Sequence, residues 1–159
     1  MRPKLAAFPK CFMDELCVHK TMTLFEWIEL AATLGVEGLE LYSGFLEDSE
    51  VFLQDVKSAL ERHRLQMPML CCSPDFTEID SVRLQTEIER EKRMIEITAF
   101  FGGQFCRVLS GQRRPELTQE AGIAQDPDAL DGRHGAGAGG HIQIRQGQGR
   151  EDAARLLHR

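Results

Sequence analysis

Residues 35–42 read GVEGLELY, and the fold class follows from how this segment is bounded. An amphipathic segment precedes it and ends at Gly35, a residue that commonly stops a helix. Val36, Leu39 and Leu41 are apolar, while Glu40 and Tyr42 lie on the alternate face near the end of the segment. A helix that ends at a glycine and leads directly into a strand predicts a βα repeat.

The same order recurs along the first 121 residues. Apolar runs at residues 5–8, 67–72 and 105–109 predict three further strands. The intervening helices have start signals: a capping box at Thr23 and Glu26, then Ser49 or Asp48, then Asp80 or Ser81. Four βα units without hairpin signals predict an α/β fold with parallel strands. A TIM barrel takes about 250 residues, so we expect about half of one.

Helical spacing predicts which residues of each helix face the core. The predicted core positions are Leu24, Trp27, Ile28, Ala31 and Leu34 in the first helix, Val51, Phe52, Val56, Ala59 and Leu60 in the second, and Leu84, Ile88, Ile95 and Ala99 in the third.

The composition changes near Gly122. Every Lys, Phe, Trp and Tyr precedes this residue, and residues 132–149 read GRHGAGAGGHIQIRQGQG. We therefore divide the chain into a partial barrel, residues 1–121, and a Gly/Arg-rich tail, residues 122–159, expected to be irregular or disordered. A reading-frame shift in GC-rich DNA and a genuine low-complexity tail are both open explanations. His134 and His141 in this tail receive no role.

Charge and cysteine content restrict the classes of function. The net charge of −6 disfavours nucleic-acid binding, and no apolar run is long enough to cross a bilayer, so a cytoplasmic protein is expected. The five cysteines are odd in number and lack a CxxC pair, which argues against a disulfide framework and a structural zinc site. We expect buried thiols, with Cys71 and Cys72 on opposite faces of a strand, so that only one faces a pocket.

In a parallel barrel the chemistry lies at the carboxyl ends of the strands. Glu40 is the candidate catalytic residue there, and Lys10, Arg107 and Arg113 are the candidate substrate-binding residues. A structural ion pair of Glu40 with Lys10 or Arg107 is the open alternative. Two other polar residues follow strands: Arg114, which can be simply solvated, and Asp75, which can cap a turn.

Residues 8–42, FPKCFMDELCVHKTMTLFEWIELAATLGVEGLELY, and residues 106–116, CRVLSGQRRPE, resemble the opening half of the xylose-isomerase-like TIM barrel family of sugar phosphate isomerases and epimerases. The resemblance covers about residues 1–120 and ends before the metal-binding Glu, Asp and His residues of the later strands. It implies metal-assisted proton transfer on a sugar or sugar phosphate in the parent family.

For this chain we expect a truncated member, inactive alone, that binds no metal ion. The alternative is a non-catalytic half-barrel module that forms homo-oligomers or binds a partner chain through its open edges. A metal-dependent endonuclease of the same fold is a third possibility, which the acidic charge disfavours.

Overall fold

The computed structural model describes residues 4–109, Gly111 and the backbone of residues 140–143. Strands and helices alternate through the first part. The strands are β1 (Ala6–Ala7), β2 (Gly38–Leu39), β3 (Leu41–Tyr42), β4 (Met69–Cys71), β5 (Phe105–Val108) and β6 (Gly140–Gln143). The helices are α1 (Leu24–Ala32), α2 (Glu50–Arg62) and α3 (Ser81–Phe100). Short helical turns at Lys10–Phe12, Asp14–Val18 and Ser43–Phe45 follow β1 and β3.

The strands lie side by side in chain order. β1 pairs with β2, β3 with β4, and β4 with β5, all parallel. β2 and β3 are two halves of one extended segment, because the Glu40 amide between them still donates to the Ala7 carbonyl at 3.0 Å. Residues 38–42 therefore bond to β1 on one side and to β4 on the other. This order confirms the predicted parallel βα units and gives about half of a TIM barrel.

The predicted helix starts are confirmed. The Thr23 hydroxyl accepts from the Glu26 amide at 3.2 Å, and the Glu26 carboxylate accepts from the Thr23 amide at 2.7 Å. Ser49 caps α2, and Asp80 caps α3 by accepting from two backbone amides. Gly35 has φ +70°, so it adopts the left-handed conformation that ends the segment after α1.

The core lies between the sheet and the three helices. Leu39, Leu41, Leu70 and Cys106 present their side chains to the helices and are fully buried. Leu24, Trp27, Ile28 and Ala31 of α1 are buried as predicted, and so are Val56, Ala59 and Leu60 of α2. No helix among the described residues is long and apolar enough to cross a membrane.

Several predicted core positions are wrong. Leu34 and Val51 are exposed, and α2 buries Leu53 instead. In α3, Ala99 is exposed, whereas Met94, Ile97 and Thr98 are buried together with the charged Glu91. The buried face of α3 therefore includes Ile95 as predicted, together with a charged residue that the apolar pattern did not predict.

One short segment of the tail departs from the irregular structure that we expected. β6 pairs antiparallel with β5, with the Cα atoms of His141 and Arg107 opposite each other. The other tail residues lie outside the described part of the chain. Within that part, β5 is therefore flanked by β4 on one side and by β6 on the other, while β1 pairs on one side only.

Candidate functional site

The sheet face that points away from the helices brings two of the candidate residues together. Tyr42, Cys71 and Arg107 occupy matching positions in β3, β4 and β5 and therefore share this face. Glu40 precedes Tyr42 by two residues in the same extended segment, so it lies on the same side. We call this side the interior face, because it would line the inside of a closed barrel.

The charges of both Glu40 and Arg107 act on the thiol of Cys71, which lies on the strand between theirs. Burial raises the pKa of the Cys71 thiol, the positive charge of Arg107 opposes that shift, and the negative charge of Glu40 adds to it. The three side chains therefore lie within electrostatic reach of each other near the carboxyl ends of β3, β4 and β5.

Glu40 and Arg107 do not form the structural ion pair that was the open alternative to a catalytic role of Glu40. No ion pair involving Glu40 occurs within 4.0 Å among the described residues, so neither Lys10 nor Arg107 neutralises it there. The Arg107 Nε atom is buried and has no hydrogen-bond partner among the residues that the structure describes. A buried guanidinium donor without a partner is costly, and an anionic or oxygen-rich ligand would satisfy it.

The other candidates contribute less to this face. Lys10 is exposed in the turn after β1. Asp75 caps a turn, because its carboxylate accepts from the Thr77 amide at 3.1 Å and from the Thr77 hydroxyl at 2.6 Å. Arg113 and Arg114 lie outside the described residues, so their roles stay predictions.

The described side chains of the interior face do not include a set of ligands for the divalent metal ion that the family resemblance implies. A catalytic metal site needs at least three suitable ligands at fixed positions. Among the described side chains, Glu40 and Cys71 belong to no group of three or more His, Cys, Asp or Glu residues close enough to share an ion.

Sequence reasoning missed a second constellation on the opposite side of the sheet. Cys72, Cys106 and Glu91 are all buried between the sheet and α3. The two Sγ atoms are 3.7 Å apart, and the Cys106 thiol donates to Glu91 Oε1 at 3.4 Å. The predicted opposite orientation of the neighbouring cysteines is confirmed: Cys72 lines a cavity of about 50 Å³ beside α3, while Cys71 is on the interior face.

The surroundings of this buried cluster raise the pKa values of Glu91 and Cys72. Burial raises the pKa of Glu91 to about 7, against smaller opposing effects of the Cys106 and Cys72 thiols and of Arg90. The hydrogen bond with Cys106 and burial together raise the pKa of the Cys72 thiol. In the sequence, Glu91 lies at helical spacing from Ile95 and Thr98, which indicates a position on the buried face of the helix. Its charged neighbours, however, are typical of a solvent-exposed surface.

Comparison with solved structures identifies the fold class as that of TIM barrel sugar epimerases and related enzymes. A D-psicose 3-epimerase crystallised with D-fructose matches with a TM-score of 0.63 and 13% identity, over 82% of this chain and 47% of its own. A 3-keto-D-glucoside 4-epimerase from E. coli matches with a TM-score of 0.54 and 17% identity, over 82% of this chain and 50% of its own.

A dehydratase shares the same architecture. The probable 3-DHS dehydratase AsbF of Bacillus anthracis matches with a TM-score of 0.56 and 15% identity, over 81% of this chain and 47% of its own. The chain spans about half the length of these structures, and likeness at this identity establishes the fold alone. No protein-family model and no curated protein sequence matches the chain.

Proposed function

We propose that this chain supplies the N-terminal half of a sugar isomerase or epimerase barrel, and that its interior face binds a sugar or sugar phosphate without turning it over alone. The observation that supports the proposal is that Glu40 and Arg107 share one sheet face near the carboxyl ends of the strands, with Arg107 Nε buried and without a hydrogen-bond partner among the described residues. The cytoplasm is the proposed compartment, since all five cysteines are free thiols.

Each side chain has a role that its chemistry allows. The Arg107 guanidinium would donate to a phosphate or a sugar oxygen, because its planar group offers paired donors. Glu40, which has no cation partner among the described residues, would take a proton from the carbon beside a carbonyl group. The enediolate formed by that step needs strong electrostatic stabilisation, and the described residues of the interior face include no metal-binding group that would provide it.

Sugar binding and proton transfer can be tested separately on the full chain. Titration with D-fructose and with a ketose 6-phosphate, followed by NMR of the ¹⁵N-labelled protein, should shift amides of β3, β4 and β5. Arg107→Gln should weaken binding of the phosphorylated sugar at least tenfold, since charged hydrogen bonds are worth about 1.5–3 kcal/mol. Arg62→Gln, an exposed change at the end of α2, is the matched control and should leave the affinity unchanged.

Incubation of the ketose with the protein in D2O tests the chemical step. We expect no exchange of the proton beside the carbonyl group. Exchange that disappears in Glu40→Gln would show that the chain is active alone and contradict that part of the proposal. Absence of shifts with either sugar, or equal binding by wild type and Arg107→Gln, would contradict the binding part.

A non-catalytic module that pairs with another chain is the second candidate. The observation in its favour is that Met69 and Phe105, on the interior face, are only partly buried, and that β1 has an open side within the described residues. Exposed apolar surface and open strand edges favour association. Sedimentation velocity should then show dimers or larger species, whereas a monodisperse monomer that unfolds cooperatively would contradict the module.

A further inference from the structure

We propose that Cys72, Cys106 and Glu91 form a binding site for one thiophilic divalent cation, with Zn²⁺ as the expected ion. The three residues come from one βαβ unit: Cys72 directly follows β4, Glu91 lies in α3, and Cys106 lies in β5. Their potential ligand atoms all lie within 4.8 Å of one another. The site is on the helix side of the sheet, away from Glu40 and Arg107, and does not depend on the proposed sugar chemistry.

Two of the three distances between the potential ligand atoms match those around a tetrahedral zinc ion. With Zn–S bonds of about 2.3 Å, two sulfur ligands of a tetrahedral zinc ion are about 3.8 Å apart, and a sulfur and a carboxylate oxygen are about 3.5 Å apart. The corresponding distances are 3.7 Å from Cys72 Sγ to Cys106 Sγ and 3.4 Å from Cys106 Sγ to Glu91 Oε1. A disulfide, in contrast, would require the two sulfur atoms to approach to about 2.05 Å.

The surroundings provide room for a fourth ligand. Cys72 and Glu91 line the cavity of about 50 Å³ at the ends of β3 and β4. A cavity of about 10–15 Å³ is enough to hold one water molecule. Two thiolates, one carboxylate and one water molecule would complete a tetrahedral zinc ion.

Charge balance also favours a bound cation, because the three ionised side chains would otherwise repel one another. Two thiolates and a carboxylate carry three negative charges, and a divalent cation leaves one. Arg90 lines the same cavity and its positive charge acts on Glu91, whereas Glu87, also on that cavity, acts in the opposite direction. Binding would release both thiol protons, and also the Glu91 proton where that carboxyl group is protonated.

The test uses the reduced full chain and Cd²⁺, whose thiolate complexes absorb in the ultraviolet. We expect a charge-transfer band that saturates at one equivalent of Cd²⁺ and is removed by Zn²⁺. Cys72→Ser and Cys106→Ser should each lower the apparent affinity at least tenfold, and Glu91→Gln should also weaken it. Cys71→Ser is the matched control, because Cys71 is buried next to Cys72 but points to the interior face, and it should keep the band.

X-ray absorption spectroscopy of the zinc-loaded wild-type chain gives a readout that does not depend on the folding of any variant. Two sulfur neighbours and two oxygen neighbours around zinc are expected. A first shell without two sulfur atoms would overturn the proposal, as would a wild-type chain with no cadmium band. Retention of the band in Cys72→Ser combined with Cys106→Ser, or its loss in Cys71→Ser, would overturn it too.

Discussion

Replacement of Glu91 by glutamine should stabilise the metal-free protein at alkaline pH and not at acidic pH. The Glu91 side chain is 2% exposed, and its pKa is about 7 in the folded protein against 4.5 for an ordinary glutamate. Between these two values the folded state retains a proton that the unfolded state has lost. The free energy of unfolding of the wild type therefore falls as pH rises from about 4.5 to about 7, and the loss is complete above that range.

The size of this loss follows from the difference in pKa. One pKa unit corresponds to about 1.4 kcal/mol, so a shift from 4.5 to about 7 costs the folded state about 3 kcal/mol at pH 8. Glutamine has nearly the same shape and no charge, so it avoids this cost while its amide oxygen can still accept from Cys106. Arg90, Glu87, Cys72 and Cys106 face the same carboxyl group and remain in the variant.

The free energy of unfolding can be measured by urea unfolding at a series of pH values, with chelator and reductant present. Fluorescence of Trp27, which is buried and is the single tryptophan of the chain, provides the signal. The stability gained by Glu91→Gln should grow from near zero at pH 4 to about 3 kcal/mol at pH 8. Glu89→Gln is the matched control on the same helix, because the Glu89 carboxylate is exposed to solvent where it pairs with Lys92, and this change should alter stability by less than about 1 kcal/mol. A gain from Glu91→Gln that does not vary with pH would refute the reasoning.

Two further substitutions test the fold by urea unfolding. Thr23→Ala removes the capping hydroxyl of α1 and should cost about 1 kcal/mol, whereas Thr23→Ser should cost less; equal losses would show that the capping hydrogen bonds contribute nothing. Leu70→Ala empties a fully buried position in β4 and should cost about 2–5 kcal/mol. Its control is Val51→Ala in α2, where the side chain is 72% exposed, and a similar loss there would contradict the observed core.

The order of the elements could be predicted because its signals are local. Each signal depends on a few neighbouring residues. Examples are the capping box of Thr23 and Glu26, the glycine at position 35, which adopts a positive φ, and the apolar runs. Four repeats of such signals are enough to indicate parallel βα units. The pairing of β6 with β5 had no local signal of this kind, because β6 lies in a glycine-rich segment with little apolar periodicity.

The interior face was only partly predictable. Alternation in residues 38–42 and 105–108 correctly assigned Glu40 and Arg107 to the face away from Leu41 and Cys106. Whether the two charged side chains form an ion pair depends on strand register and on side-chain direction across the sheet. Spacing along one strand gives neither the register nor the side-chain direction. The sequence therefore could not decide between a structural ion pair and a functional role for Glu40 and Arg107.

The buried cluster was not predictable from spacing, because its members are brought together by a crossover connection. Cys72 and Cys106 are 34 residues apart, and Cys106 and Glu91 are 15 apart, whereas a search for CxxC pairs tests only near neighbours. Their meeting depends on the register of β4 against β5, which the Pro68 carbonyl helps to set by accepting from the Gln104 and Phe105 amides. The three residues of the proposed zinc site are thus brought together by the fold and not by their spacing in the sequence.

The proposed zinc site lies on the opposite side of the sheet from the proposed sugar site, so it does not depend on a completed barrel. The side chains proposed to contact the sugar, Glu40 and Arg107, lie on the interior face of the sheet, where no group of potential metal ligands occurs among the described residues. The Cys72, Cys106 and Glu91 site, in contrast, lies wholly within β4, α3 and β5 and the residue that follows β4. A cation bound there would link both strands to their crossover helix. Stabilisation by Zn²⁺ would therefore persist even if the open sheet were never completed into a barrel.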